Sequence, residues 1–266
     1  NKKDIHLAIT MLNDFELSEV TVAEGTPPRV KDNIKMLEYV LARRKGENLD
    51  SLFTTVIEPY SENSLISNKE TVGITAVSGS EGLDDTARAV KITCKNGRTD
   101  YVVYATNNTV TYRIDNKFDF RGFVGVYTCG EDGTAEQTYL NDGDKIGDID
   151  YESPDVSGTI KDFTREYTSE NSIEVSLNRE IADEELTDKY IYINNDGVQN
   201  GVYRIVGATH SGTDYTLDIG DVTVARGIED GSIVYNISSG DSFRIPLSYT
   251  TDSSPVIKCA DKVSVT

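Results

Sequence analysis

The feature that most constrains this chain is a recurrence of short alternating apolar runs cut by turn residues. Ala87 to Cys94, Tyr101 to Ala105, Val110 to Ile114, Phe118 to Phe120 and Phe123 to Cys129 follow one another. They recur roughly every 8–12 residues, the rhythm of an antiparallel sandwich rather than of strand–helix–strand units. β-Branched and aromatic residues in alternation suit a pleated surface with one buried face. Asn96-Gly97 separates the first two runs and predicts a tight hairpin with both turn residues at φ > 0. The same rhythm returns after Gly158. Ile173, Val175 and Leu177 alternate with polar residues, and Tyr190 to Ile193, Val202 to Ala208, Tyr215 to Ile219, Asp221 to Ala225, Ser232 to Ile237 and Ser242 to Leu247 read as further strands. A single turn at Asp183 to Leu186 is the one helix candidate in that half.

The chain therefore reads as all-β in at least two units. Residues 1–150 are assigned to a large antiparallel β-sandwich and 156–249 to a smaller β barrel or sandwich. Residues 250–266 are read as a linker and the start of a further module. The division falls in Asn141 to Asp155, where six acidic residues and a proline have the composition of an exposed connector. That stretch lacks the EF-hand spacing, although a Ca²⁺ site among such Asp/Asn loops is the alternative use of its acidity.

The first sixty residues are harder to read. Ile5 to Phe15 and Glu16 to Glu24 are two expected strands, ended by Thr26-Pro27-Pro28. Val30, Ile34, Leu37 and Leu41 stand at helical spacing, yet Met36 to Leu41 is apolar on both faces, as in a buried strand. Met36 to Tyr60 forms two apolar runs about a polar connector, Lys45 to Asp50, the pattern of a long hairpin inside a sheet. Pro59, which has no N–H for a ladder, is expected to stop its second strand.

Net charge is −19. A phosphate backbone needs a cationic surface, so nucleic acid is not an expected partner. No apolar run approaches the ~20 residues of a membrane helix. Cys94, Cys129 and Cys259 match no zinc pattern and are read as sparse thiols, a Cys94–Cys129 bridge being the other option. The chain opens Asn-Lys-Lys-Asp without a signal-peptide core, which is read as a piece of a longer secreted protein.

Two stretches carry a family resemblance. "LEYVLARRKGENLDSLFTTVIEPY" resembles the β-sheet region of heparinase II/III-like polysaccharide lyases. "NDGVQNGVYRIVGATHSGTDYTLDIGDVTVARG" with "GSIVYNISSGDSFRIPLS" resembles the smaller β domain that follows it in large secreted members. The resemblance implies a supersandwich-like sheet domain, extracellular or cell-surface placement by bacterial-type secretion, and a uronic-acid polysaccharide such as a glycosaminoglycan as the parent's substrate. It also implies β-elimination in an N-terminal α/α toroid that this chain does not contain. In such lyases His and Tyr move the protons while Asn, Arg or His hold the sugar carboxylate. The chain would then be a non-catalytic fragment supporting the toroid and the substrate cleft. A free-standing carbohydrate-binding or surface-adhesion β-module protein is the alternative.

No catalytic set is assigned. Arg43 and Arg44 form the one basic cluster beside an aromatic, Tyr39, and planar guanidinium groups suit carboxylate or sulfate. They are also ordinary strand-end residues. His6 lies in an apolar strand, where an imidazole is commonly structural; its other role would be to face the cleft. Arg43, Arg44, Tyr39 and His6 are thus the candidate substrate contacts. His210 is read as an exposed hairpin-tip residue. No metal ligands are assigned, and the pairs Tyr101/Tyr104 and Tyr190/Tyr192 are noted as surfaces that could stack on sugar rings, ordinary packing being the commoner role of a tyrosine on a sheet face.

Overall fold

The computed structural model describes residues 4–13, 15–26, 36–78, 87–195, 197 and 201–251. The chain is all-β, with antiparallel sheets throughout. The first segment holds β1 (Ile5–Met11), β2 (Glu19–Gly25), β3 (Leu37–Arg43) and β4 (Thr55–Ser61). The region 37–43 is strand, so the two-sided apolar pattern prevailed over the helical spacing; Val30 and Ile34 lie outside the described residues. The expected hairpin between the two apolar runs is not formed. Instead β2 pairs with β3, and outside them β1 pairs with β4, as nested two-stranded ladders. Nor does Pro59 stop its strand. It sits opposite Leu7 within β4, which is tolerated because a strand of a two-stranded ladder has a free edge where a missing N–H costs nothing.

β5 (Ile66–Thr71), β6 (Ile74–Ser78), β7 (Ala87–Cys94), β8 (Thr99–Ala105), β9 (Thr111–Ile114), β10 (Phe118–Arg121), β11 (Val124–Cys129), β12 (Ala135–Asn141), β13 (Lys145–Ile146) and β14 (Ile149–Asp150) build the sandwich. One layer has the order β14-β13-β10-β9-β6. The facing layer contains β12-β11-β8-β7-β5. Period-2 alternation sends Tyr101, Val103 and Ala105 of β8 inward to meet Tyr112, Ile114, Phe118 and Phe120 from the other layer. Phe118 stacks on Tyr127 at 4.2 Å and meets Tyr101 edge-on at 5.5 Å. Each buried valine, isoleucine or phenylalanine among them contributes about 1.5–3 kcal/mol of transfer free energy.

At the predicted Asn-Gly hairpin only Gly97 takes positive φ, at 88°. Its N–H bonds the Cys94 carbonyl and the Cys94 N–H bonds Arg98. This is a type I turn closed by a glycine bulge rather than a two-residue turn with both centres left-handed. The acidic stretch after Asn141 is also not the expected connector. β13 and β14 extend one layer, Ile146 is fully buried, and Arg121 clasps Asp144 through two bonds of 2.6 and 2.9 Å. The ion pair and one buried isoleucine supply what composition could not show.

The second unit comprises β15 (Asp155–Phe163), β16 (Asn171–Leu177), the single helical turn α1 (Asp183–Leu186), β17 (Tyr190–Ile193), β18 (Val202–Arg204), β19 (Gly207–Ser211), β20 (Asp214–Gly220), β21 (Ala225–Glu229), β22 (Ser232–Tyr235) and β23 (Ser242–Pro246). A seven-stranded sheet, β18-β17-β23-β15-β16-β20-β19, lines a core of its own. α1 contributes Leu186, and the β21–β22 hairpin is a separate ladder. The expected strand at Asp221 to Ala225 is not formed; Asp221 ends a turn, residues 222–224 are irregular and β21 starts at Ala225. β24 (Ser248–Thr250), which the expected division splits between the smaller unit ending at residue 249 and the linker from residue 250, joins β12 of the sandwich. The second unit is therefore tied to the first at both ends. Tyr151 stacks on Tyr249 at 4.0 Å, and the Asp142 N–H bonds the Leu247 carbonyl. Residues 252–266, with Cys259, lie outside the described residues, as does most of the expected loop from Ser78 to Asp85.

Candidate functional site

The sequence-predicted contacts lie on the nested ladders. Tyr39 is in β3 opposite Ala23, with its ring beside Gly25 of β2, where a Cβ would stand 2.7 Å from Tyr39 Cε2. A ring lying over a cross-strand glycine pins register and covers bare backbone. Arg43 ends the same strand four residues on, so the two share a face about 13 Å apart. Its guanidinium stands 3.9 Å from Glu19, which also lies 3.8 Å from Lys45. Arg44 points the other way. It donates to the Asp50 carbonyl at 2.8 Å and to Ser51 Oγ at 3.0 Å, and it covers the Phe15 ring at 4.3 Å. With the edge-on pair Phe15–Phe53 it joins the two chain segments between the ladders. His6 is on the other ladder, paired with Tyr60 and stacked on its ring at 5.2 Å, with Asp4 at 3.8 Å. The structure thus brings Tyr39 and Arg43 to one face and sets Arg44 and His6 elsewhere.

The β1–β4 ladder has two unlike faces. One carries His6, Tyr60, Ala8, Glu58, Thr10 and Val56. Glu58 is buried there. Its Oε1 accepts from Ser64 at 2.8 Å and from the Leu65 and Ile66 amides at 3.1 and 3.2 Å, while Lys69 of β5 meets Oε2 at 2.8 Å. Burial works to raise this carboxyl, but the bonds from Lys69, Ser64 and the Ile66 amide outweigh it and hold the pKa below its ordinary value. The opposite face is apolar and open. Ile5, Leu7, Ile9 and Ile57 are 75, 61, 40 and 60% exposed on it, with Pro59 and Met11 in the same row.

His210, read as a hairpin-tip residue, belongs to β19. Its ring stacks on Tyr215 at 4.8 Å, Nδ1 is 2.7 Å from Asp183 Oδ1 at the start of α1, and Nε2 is 3.4 Å from Glu180. The Asp183 hydrogen bond, against a desolvation penalty, raises its pKa above the ordinary histidine value. Both ring nitrogens face carboxylates, so the imidazole is held as a clamp between β19 and α1. Sequence gave no hint of this contact, because its partners are 27 and 30 residues away and only the sheet curl joins them.

Cys94 and Cys129 are not bridged to each other, and burial raises the Cys129 pKa. β8 runs between their strands. Among the described residues no group of three or more His, Cys, Asp or Glu side chains is arranged to hold a metal ion. No helix among them is long and apolar enough to cross a membrane. No protein-family model matches the chain, and no curated protein or solved structure matches it either.

Proposed function

We propose that this chain is the β-sheet part of a secreted heparinase II/III-like polysaccharide lyase, and that it supports the helical catalytic domain and one wall of the cleft for a uronic-acid polysaccharide. The observation that carries this reading is the open apolar row on the β1–β4 ladder. An isolated two-stranded ladder is marginal in water, and an apolar row of this kind marks a surface that a partner covers. The residues opposite that row are anchored to the sandwich through Glu58 and Lys69, so the row is held in place before the partner arrives. The resemblance of the stretch from Leu37 to Tyr60 names the partner: the α/α toroid.

The test has two arms. The chain alone, incubated with heparin, chondroitin or alginate, should give no unsaturated product by ultraviolet absorbance. Produced together with the helical domain encoded upstream in the parent gene, it should co-purify with that domain. Leu7→Lys and Ile57→Lys should abolish co-purification without altering the circular dichroism of the chain alone. Turnover by the chain itself, or an upstream region of further β repeats, would overturn the proposal; the repeats would favour the adhesion-module alternative.

A further inference from the structure

A second surface, remote in sequence from the candidate contacts above, lies where the two units meet. A cleft of about 490 Å³ opens between the end of the sandwich and the outer face of the seven-stranded sheet. That volume falls within the range of about 300–1,000 Å³ typical of small-ligand sites. Tyr190 and Tyr192 form its floor. They are successive outward residues of β17, whose alternate residues Ile191 and Ile193 fill the core. Successive outward positions on a strand lie about 7 Å apart, so the two tyrosines stand side by side on one face, 48 and 45% exposed.

Cross-strand pairing sets an arginine opposite each tyrosine, Arg204 opposite Tyr190 and Arg244 opposite Tyr192. Both are already matched by acids. Arg204 pairs with Asp188, and Arg244 pairs with Asp142 from the first unit and with Asp155 at 2.8 Å. These pairs fix the walls, where two guanidiniums meet three carboxylates and leave one negative charge. Lys189, which also lines the cleft, makes no ion pair among the described residues. In a chain of net charge −19, a cleft that Lys189 brings to neutrality is set apart from the rest of the surface.

The geometry points to an oligosaccharide site, in which successive sugar rings lie on Tyr190 and Tyr192 and a ring carboxylate meets Lys189. Tyrosine suits this role because its flat apolar face packs against the C–H face of a sugar while its hydroxyl stays wet. A rigid two-ring strip on a strand also costs little ordering entropy on binding. Lys189 selects an acidic sugar over a neutral one, since a ring carboxylate gains an ammonium that has no ion pair among the described residues and that offsets the single negative charge of the walls. This site does not depend on the ladder face or on the catalytic partner assigned above, so either assignment can fail without the other.

The experiment is calorimetric titration of the intact chain with size-defined oligogalacturonate, and with a cello-oligosaccharide of equal length as the neutral arm. Saturable binding of the oligogalacturonate is expected, tighter than that of the neutral arm. Tyr190→Ala with Tyr192→Ala should weaken it by about tenfold or more, which is about 1.4 kcal/mol, while Tyr190→Phe with Tyr192→Phe retains it. Lys189→Gln should bring the acidic arm down to the level of the neutral one. Far-ultraviolet circular dichroism checks that each variant is folded. No saturable binding of either sugar, or binding of the acidic sugar that survives the double alanine variant in a folded protein, overturns the proposal. Equal affinity for both sugars in the unsubstituted chain, unmoved by Lys189→Gln, overturns it also.

Discussion

Tyr215→Phe isolates one hydroxyl whose worth can be worked out from its contacts. The Tyr215 side chain is buried in β20, and its hydroxyl donates to the Ile181 carbonyl at 2.6 Å and accepts from the Ile181 N–H at 2.8 Å. Ile181 is itself buried, and its amide and carbonyl make no other backbone bond among the described residues. The substitution removes one oxygen and strands two buried backbone groups at once. Each unsatisfied group costs about 1–3 kcal/mol. Some relaxation of the segment leading into α1 offsets part of that, so a net loss of about 2–4 kcal/mol is expected. The ring remains, so packing against His210 at 4.8 Å is kept and the loss belongs to the hydroxyl. Urea unfolding followed by far-ultraviolet circular dichroism measures the difference. A loss below about 1 kcal/mol, the net value of one ordinary hydrogen bond, would refute the claim that this hydroxyl alone satisfies both backbone groups.

Three further outcomes follow from the same geometry. Glu58→Gln should cost about 1–3 kcal/mol, the price of a charge-assisted network lost at a buried site. The Glu58 pKa lies below its ordinary value in the folded chain, so this stabilisation is present above about pH 4.5 and fades as pH falls through the folded value; hydrogen exchange at Leu65 and Ile66 is the measurement, and unchanged protection would count against it. His210 has a raised folded pKa, so its clamp on Asp183 is at full strength below about pH 6.5 and is lost as pH rises through the folded value; an NMR titration of the ring should lie above that of His210 in an Asp183→Asn variant, and coincident titrations would remove the clamp. Arg244→Met and Asp142→Asn should couple by about 1–2 kcal/mol in a double-mutant cycle, discounted because the arginine side chain is 41% exposed. Asn is the fitting replacement because residue 142 has φ of 48°, and additivity of the two substitutions would show that the bridge between units contributes nothing.

The alternation of Tyr101, Val103 and Ala105 against Tyr112, Ile114, Phe118 and Phe120 was legible in the sequence because a strand has a period of two and one face of it must be dry. The same rule announced Ile173, Val175 and Leu177 and the all-β class. What the sequence could not settle was partnership. Met36 to Tyr60 has the pattern of one hairpin, yet β3 and β4 pair outward with β2 and β1, because two-stranded pairing is chosen among all available edges and local pattern names only the strands. Asn141 to Asp150 has the composition of a connector, yet Ile146 and the Arg121–Asp144 pair fold it into a sheet.

The chemistry divides in the same way. Tyr39, Arg43, Arg44 and His6 could be nominated by residue type and neighbours in sequence, and Tyr190 and Tyr192 could be noted as a pair. Their surroundings could not. Glu58 with Lys69, His210 with Asp183, and Arg244 with Asp142 are contacts over 11, 27 and 102 residues, made only when sheets close on one another. Sequence by itself determined which residues turn inward, since burial of alternate side chains is a local geometric consequence of the extended backbone. Tertiary structure alone decided which charges meet, since an ion pair depends on distances that no local pattern encodes.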